Sequence, residues 1–250
     1  MPTNFLSLPS EVRNDIYEQL VVLEDPIVCP THPWLGHSQV RALSSGLLLA
    51  NKIVYRETSS LLYARNHFDF SRCNPEHVTS FLESIGRHNA DHIRHIHIDF
   101  PEFQILDLHD VTLEDDSIEM LERIQHYCNN LSTITTPIHS TDAMELRLDA
   151  LDCPKVAAEA MALVNTRFKA ISSLREIIVE VYEDGPSDHI RREMKNHGWT
   201  LNARENVEDS ASDRSFGTSE DFCYRDDDES DYNDDYDIDN DSDFWRRAGD

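Results

Sequence analysis

Four histidines fall within one short stretch, His88, His92, His95 and His97. His95 and His97 are two residues apart, so on a β-strand they project to one face, with Asp99 following on that face. Imidazole nitrogens beside a carboxylate are ligands for a divalent transition ion. No tight motif supplies a third and fourth ligand, and the plainer reading of the segment is a polar strand face. Cys29-x-x-His32 stands in a proline-rich stretch with only scattered company and points more weakly to a metal. No nucleophile elbow, phosphate loop, Rossmann fingerprint or HExxH motif occurs. The chain has only 7 glycines, too few for a glycine-rich phosphate cradle. Asp115 and Asp116 suit a helix start, where carboxylates meet the positive end of the helix dipole, better than a shared catalytic proton. These patterns favour a non-catalytic protein with no cofactor. A metal-binding or enzymatic protein built on His95 and His97 is the third-ranked alternative.

Charge narrows the class of partner. The 250 residues carry 22 Lys plus Arg against 48 Asp plus Glu, a formal net charge of −26, which repels nucleic acid and anionic membrane surfaces. Neither is expected as a partner. The N-terminus has no basic and apolar leader, and no apolar run approaches the roughly 18 residues that span a bilayer. The expectation is an intracellular protein of the cytoplasm or nucleus. Cys29, Cys73, Cys128, Cys153 and Cys223 are odd in number and form no CxxC pair, as expected of reduced thiols in a hydrophobic core. Residues 206–250 hold 17 acidic and 4 basic side chains, a net of −13, so half of the charge deficit lies in this tail. Self-repulsion and scarce apolar residues predict disorder there. The aromatics among its acids suit either a solubilising tail or a segment that engages a partner.

The elements that must position any site follow from periodicity. Pro9 and Ser10 open a helix, and Val12, Ile16, Leu20 and Leu23 continue it at helical spacing. A loop is expected over 24–37. A helical pattern then runs through Val40, Leu43, Leu47, Val54 and Leu62 with a break near Asn51, and His67–Phe70 closes the segment as a short strand. Farther on, Ile93-x-x-Ile96-x-Ile98, Leu131-x-x-Ile134-x-Thr136 and Leu174-x-x-Ile177-x-Val179 repeat one pattern at spacings of 38 and 43 residues. Amphipathic helices lie between them: Ile118 to Cys128, Ala157 to Ile171 with Asp152 as its cap, and Ser187 to His197. A last strand runs through Trp199 and Leu201. Alternating strands and helices predict an α/β fold with a parallel sheet. Along the strands Ile96, Ile98 and Phe100 oppose His95, His97 and Asp99, and Ile177, Val179 and Val181 oppose Glu176 and Glu180. A sheet covered on both faces would read as nearly continuous apolar strands, so coverage of one face is expected, as in leucine-rich-repeat (LRR) stacks. His95, His97, Thr133, Thr135, Glu176 and Glu180 then form an adjoining polar surface able to bind a protein.

Phe5-Leu-Ser-Leu-Pro-Ser-Glu-Val-Arg-Asn-Asp-Ile-Tyr-Glu-Gln-Leu20 resembles the opening of F-box domains, in particular the F-box-like proteins of filamentous fungi with their Leu-Pro-x-Glu-(Ile/Val)-Arg-x-x-Ile-Tyr signature. Leu47 to Phe70, with Tyr-x-Glu, Leu-Leu-Tyr and Asn-x-Phe-x-Phe, is similar to that family's next helix and strand, and Phe81 to Gly86 and Ile93 to Ile96 resemble its continuation. The resemblance implies an adaptor whose N-terminal helices dock on a Skp-family adaptor of a cullin-based ubiquitin ligase while the following domain holds a protein substrate. By that analogy Leu8, Pro9, Val12, Ile16 and Leu20 form the docking face. The bland alternative makes the same five residues helix core.

The reading is therefore an α/β protein in three parts. Residues 1–70 form an F-box-like helical unit ending in a short strand, 71–205 an LRR-like region of βα repeats, and 206–250 a disordered acidic tail. Its expected role is non-catalytic protein recognition, with ligase substrate receptor as the sharp version. An interaction scaffold that keeps the fold without the ligase is the alternative.

Overall fold

The strands are made by alternation. In the computed structural model of the chain, which describes residues 5–29 and 50–205, six strands pair in parallel in a single sheet. They are β1 (Ile27–Val28), β2 (His67–Asp69), β3 (His95–His97), β6 (Thr133–Thr136), β7 (Glu176–Tyr182) and β8 (Thr200–Arg204), in that spatial order. A separate antiparallel hairpin joins β4 (Phe103–Asp107) to β5 (Asp110–Leu113). The repeat read from the sequence is the register of the sheet. His95 lies opposite Thr133, 38 residues on, and Thr133 opposite Glu176, 43 residues on.

Among the described residues eight α-helices connect and flank the strands: α1 (Ser10–Val21), α2 (Lys52–Arg65), α3 (Pro75–Ile85), the single turn α4 (Arg87–Ala90), α5 (Asp115–Tyr127), α6 (Ile138–Asp149), α7 (Pro154–Ala170) and α8 (Asp188–Asn196). Their ends obey local chemistry. The Asn51 side chain accepts from the backbone N–H groups of Ile53 and Val54 to start α2, which is where the sequence predicts a break. Asn74 caps α3 with Pro75 in its first turn, and Gly86 ends that helix at φ +79°, where a side chain would be strained. Asp115 and Asp116 occupy the first turn of α5.

One face of the sheet carries the core. Phe68, Phe70, Ile96, Ile98, Phe100, Ile134, Ile177, Val179 and Val181 are buried together with Val78 and Leu82 of α3, Leu121 and Ile124 of α5, Val164 and Phe168 of α7, and Ile190 and Met194 of α8. Strands added in chain order by right-handed crossovers put their helices on the same face, so this one-sided core follows from the strand order. Successive units are also laced by polar bonds at the repeat spacing. Asn129 donates to Asp91, Ser132 to the Arg94 carbonyl, and Ser140 accepts from the Phe100 N–H.

Two expectations are corrected. The loop expected over 24–37 contains β1, paired to β2 through Ile27 and Phe68. Helices α3, α4 and α6 and the β4–β5 hairpin have no counterpart among the elements expected from periodicity. Asp152 does not cap α7: it sits in a turn at φ +45°, and Cys153 holds the cap position. The expected helix through Val40, Leu43 and Leu47, and the tail 206–250, lie outside the described residues. Cys29 and Cys128 are buried, Cys73 and Cys153 half-buried, and all four are free thiols. Among the described residues no helix is long and apolar enough to cross a membrane.

Candidate functional site

The face of the sheet opposite the core presents the polar half of each alternation. Across it, His67, His95, Thr133 and Glu176 form one row of register partners, and Asp69, His97, Thr135, Ile178 and Thr200 form the next. The sequence singled out His95 and His97; the parallel pairing of β2 with β3 adds His67. The His67 and His95 ring centroids are 3.9 Å apart, His95 and His97 5.1 Å, and His67 and His97 5.9 Å. One ring nitrogen from each of the three lies within 4.8 Å of the others, and these are the only three His, Cys, Asp or Glu side chains so grouped among the described residues.

Burial, and for His95 and His97 the neighbouring imidazoles, disfavour the charged form of these rings. His95 is pushed down to about 3, first by burial and then by the neighbouring His67 and His97. His67 is lowered by burial. His97 is lowered by burial, against the opposing pull of the Asp69 and Glu180 carboxylates. His95 Nε2 is 2.7 Å from the Thr135 hydroxyl, which fixes the ring, whereas His97 Nε2 is buried with no hydrogen-bond partner.

The remaining sequence candidates divide. Asp99, expected to share the histidine face, is taken up elsewhere, accepting from the Arg72 N–H in the turn after β2 at 2.8 Å and bonding His139 in the first turn of α6 at 2.9 Å. His88 and His92 pair with each other, ring centroids 5.0 Å apart, outside the trio. Cys29 is buried in the core, apart from the histidine group, and His32 lies outside the described residues.

The polar surface is less open than alternation implied. Glu176 is exposed and Thr133 half-exposed, but Thr135 and Glu180 are buried. Thr135 is held between its register partners and the His95 ring, and the Arg204 guanidinium closes over the Glu180 carboxylate. These two therefore support the face from within, and the accessible part is His67, His95, His97, Thr133 and Glu176.

A second candidate surface lies on α1. Val12, Ile16 and Leu20 recur at four-residue intervals, which lays them along one stripe of α1, and Leu8 lies two residues before the helix starts. Leu8, Val12 and Leu20 are 36%, 42% and 39% exposed, Pro9 is exposed and Ile16 half-buried. The reading of this stripe as helix core does not hold for them; Tyr17 and Val21 fill that role, with 0% and 1% exposure. The helix is held in this rotation by a polar clasp. Arg13 pairs with Glu57 of α2 and donates to the Leu8 carbonyl at 2.6 Å, while the Tyr17 hydroxyl donates to Glu57 at 3.1 Å.

Comparison with protein-family models, with curated proteins and with solved structures gives no match to this chain.

Proposed function

We propose that the protein is a non-catalytic recognition adaptor in which the N-terminal helices, as an F-box-like unit, dock on a Skp-family adaptor of a cullin-based ubiquitin ligase, while the LRR-like sheet body holds a protein substrate. The observation that carries this reading is the apolar stripe of α1. Leu8, Val12 and Leu20 face outward although the fold buries other residues of the same helix, and an outward stripe clamped in place by Arg13 and Glu57 is what a docking helix requires. The F-box resemblance supplies the identity of the partner.

The test is direct binding of the purified adaptor at micromolar concentration. Wild-type protein captures it, and the Leu8→Ala, Pro9→Ala double variant binds about tenfold or more weakly, because docking anchors typically contribute about 1–4 kcal/mol each. The Leu8 carbonyl that receives Arg13 survives both changes, so the thermal transition stays in place. Wild-type protein that captures no adaptor removes the ligase reading and leaves the interaction scaffold.

A further inference from the structure

Three imidazoles converge on the polar face from two adjacent strands, a grouping that protein recognition by that face does not by itself require. We propose that His67, His95 and His97 bind one divalent first-row transition ion of the zinc class, each through one ring nitrogen, with a further coordination position on the exposed His67 side. This inference is independent of the ligase reading.

The geometry is close to what such an ion needs. Zinc–nitrogen bonds of about 2.0–2.1 Å in a tetrahedron separate the nitrogens by about 3.4 Å. The three candidate nitrogens already lie within 4.8 Å of one another, a gap that side-chain rotation closes. The backbone already makes neighbours of the three, because the register of β2 and β3 sets His67 opposite His95 and Asp69 opposite His97.

The second observation is the buried His97 Nε2 that bonds nothing. Buried polar atoms in folded proteins are nearly always satisfied, so this nitrogen calls for a partner. A water molecule would satisfy that nitrogen; the grouping of one ring nitrogen from each of three imidazoles within 4.8 Å is what favours a cation. Thr135 plays the part of an outer partner, since its hydroxyl fixes the His95 ring as groups behind metal-bound imidazoles do. The donor set selects the class of ion. Three nitrogens suit zinc, copper or nickel, whereas magnesium and calcium require oxygen ligands. With three protein ligands the site is open, as in zinc centres that keep a position for water or substrate, and not closed as in purely structural ones.

The experiment uses the full chain free of any affinity-tag histidines, stripped with chelator and dialysed near neutral pH. Millimolar magnesium is present throughout to occupy the many acidic side chains. Titration with ZnCl2 by calorimetry should give one saturable equivalent with micromolar or tighter affinity, and CoCl2 should give visible absorption bands of a nitrogen-rich site. His67→Gln and His97→Gln should each weaken zinc about tenfold or more, since each deletes one ligand. The His88→Gln, His92→Gln double variant should bind like wild type. His67 is exposed, so its replacement leaves the fold intact and keeps the test valid even if His97→Gln misfolds. Absence of a saturable equivalent, or zinc binding by His67→Gln as tight as wild type, overturns the proposal.

Discussion

Replacing Asn66 by Ala should lower stability by about 2–4 kcal/mol, a fall of about 6–12 °C in the thermal midpoint for a domain of this size. Asn66 is 1% exposed, and its side chain makes three bonds to three different main-chain groups. The Leu23 N–H donates to Oδ1 at 2.7 Å, and Nδ2 donates to the Val21 carbonyl at 2.7 Å and the Leu62 carbonyl at 2.9 Å. One amide thus serves the C-terminal ends of α1 and α2, where helices leave carbonyls without partners, and it does so one residue before β2 enters the sheet. Removing it strands the Leu23 donor and the Val21 acceptor and leaves the Leu62 carbonyl only the long bond from the Asn66 backbone N–H at 3.4 Å, and an unmade buried bond costs more than a made one contributes.

Asn66→Asp separates this account from a loss of packing. Aspartate preserves the size of the side chain and can still accept from Leu23, but it turns a carboxylate oxygen toward two carbonyls. Its cost at neutral pH should equal or exceed that of the alanine variant, as read by urea unfolding. An aspartate variant as stable as wild type would show that shape, not donation, is what the site requires.

Asn66 also illustrates what was legible in the sequence. Local signals were strong where one residue acts on its own segment. Pro9 and Ser10 at the start of α1, the break near Asn51 and the acids at 115–116 mark ends that the structure keeps. The three repeated strand patterns were legible because apolar and polar residues alternate in the same order in each, and their spacings of 38 and 43 residues are those between register partners. Several of the missed elements lack such signals. β1 is two residues between Pro26 and Cys29. The β4–β5 hairpin turns through Leu108 and His109, with His109 at φ +80°, where a sequence reader looks for Asn or Gly. Helix α6 buries Thr141 and Glu145 along with Met144 and Leu148, so its inner face does not read as apolar.

The histidine cluster was half legible for the same reason. Two residues on one strand reveal a shared face, but His67 is 28 residues from His95 and meets it only through strand pairing. A usable signal did exist. His67-x-Asp69 and His95-x-His97-x-Asp99 present the same polar alternation on two successive strands, and adjacent parallel strands bring like faces together. What alternation could not show was the inward placement of Thr135 and Glu180, which depends on the long side chains around them.

Glu145→Gln should stabilise the protein increasingly as pH rises, by about 2 kcal/mol above pH 8 and by almost nothing near pH 4.5. Glu145 is 4% exposed on the inner face of α6, and its Oε1 has no hydrogen-bond partner. Its carboxyl is pushed up from 4.5 to about 8, chiefly by burial, then by Asp142 and Asp149 on its own helix and Asp184 in the turn after β7. Arg191 pulls the other way, but that guanidinium is committed to the carbonyls of Tyr182, Glu183 and Pro186. The folded protein therefore keeps a proton that the unfolded chain releases above pH 4.5, and stability falls with pH through the window from 4.5 to about 8. The full gap corresponds to an upper limit of about 5 kcal/mol at about 1.4 kcal/mol per pH unit, and water drawn to the ionised group recovers part of it. Glutamine has the shape of the neutral acid and never ionises, so the difference between variant and wild type isolates this one group from the other titrations of an acidic protein. Thermal unfolding at several pH values should show the two midpoints converging in acid and separating by about 4–8 °C above pH 8. A separation that stays constant across the range would mean that Glu145 is already ionised in the folded state, held by Arg191 despite its other bonds.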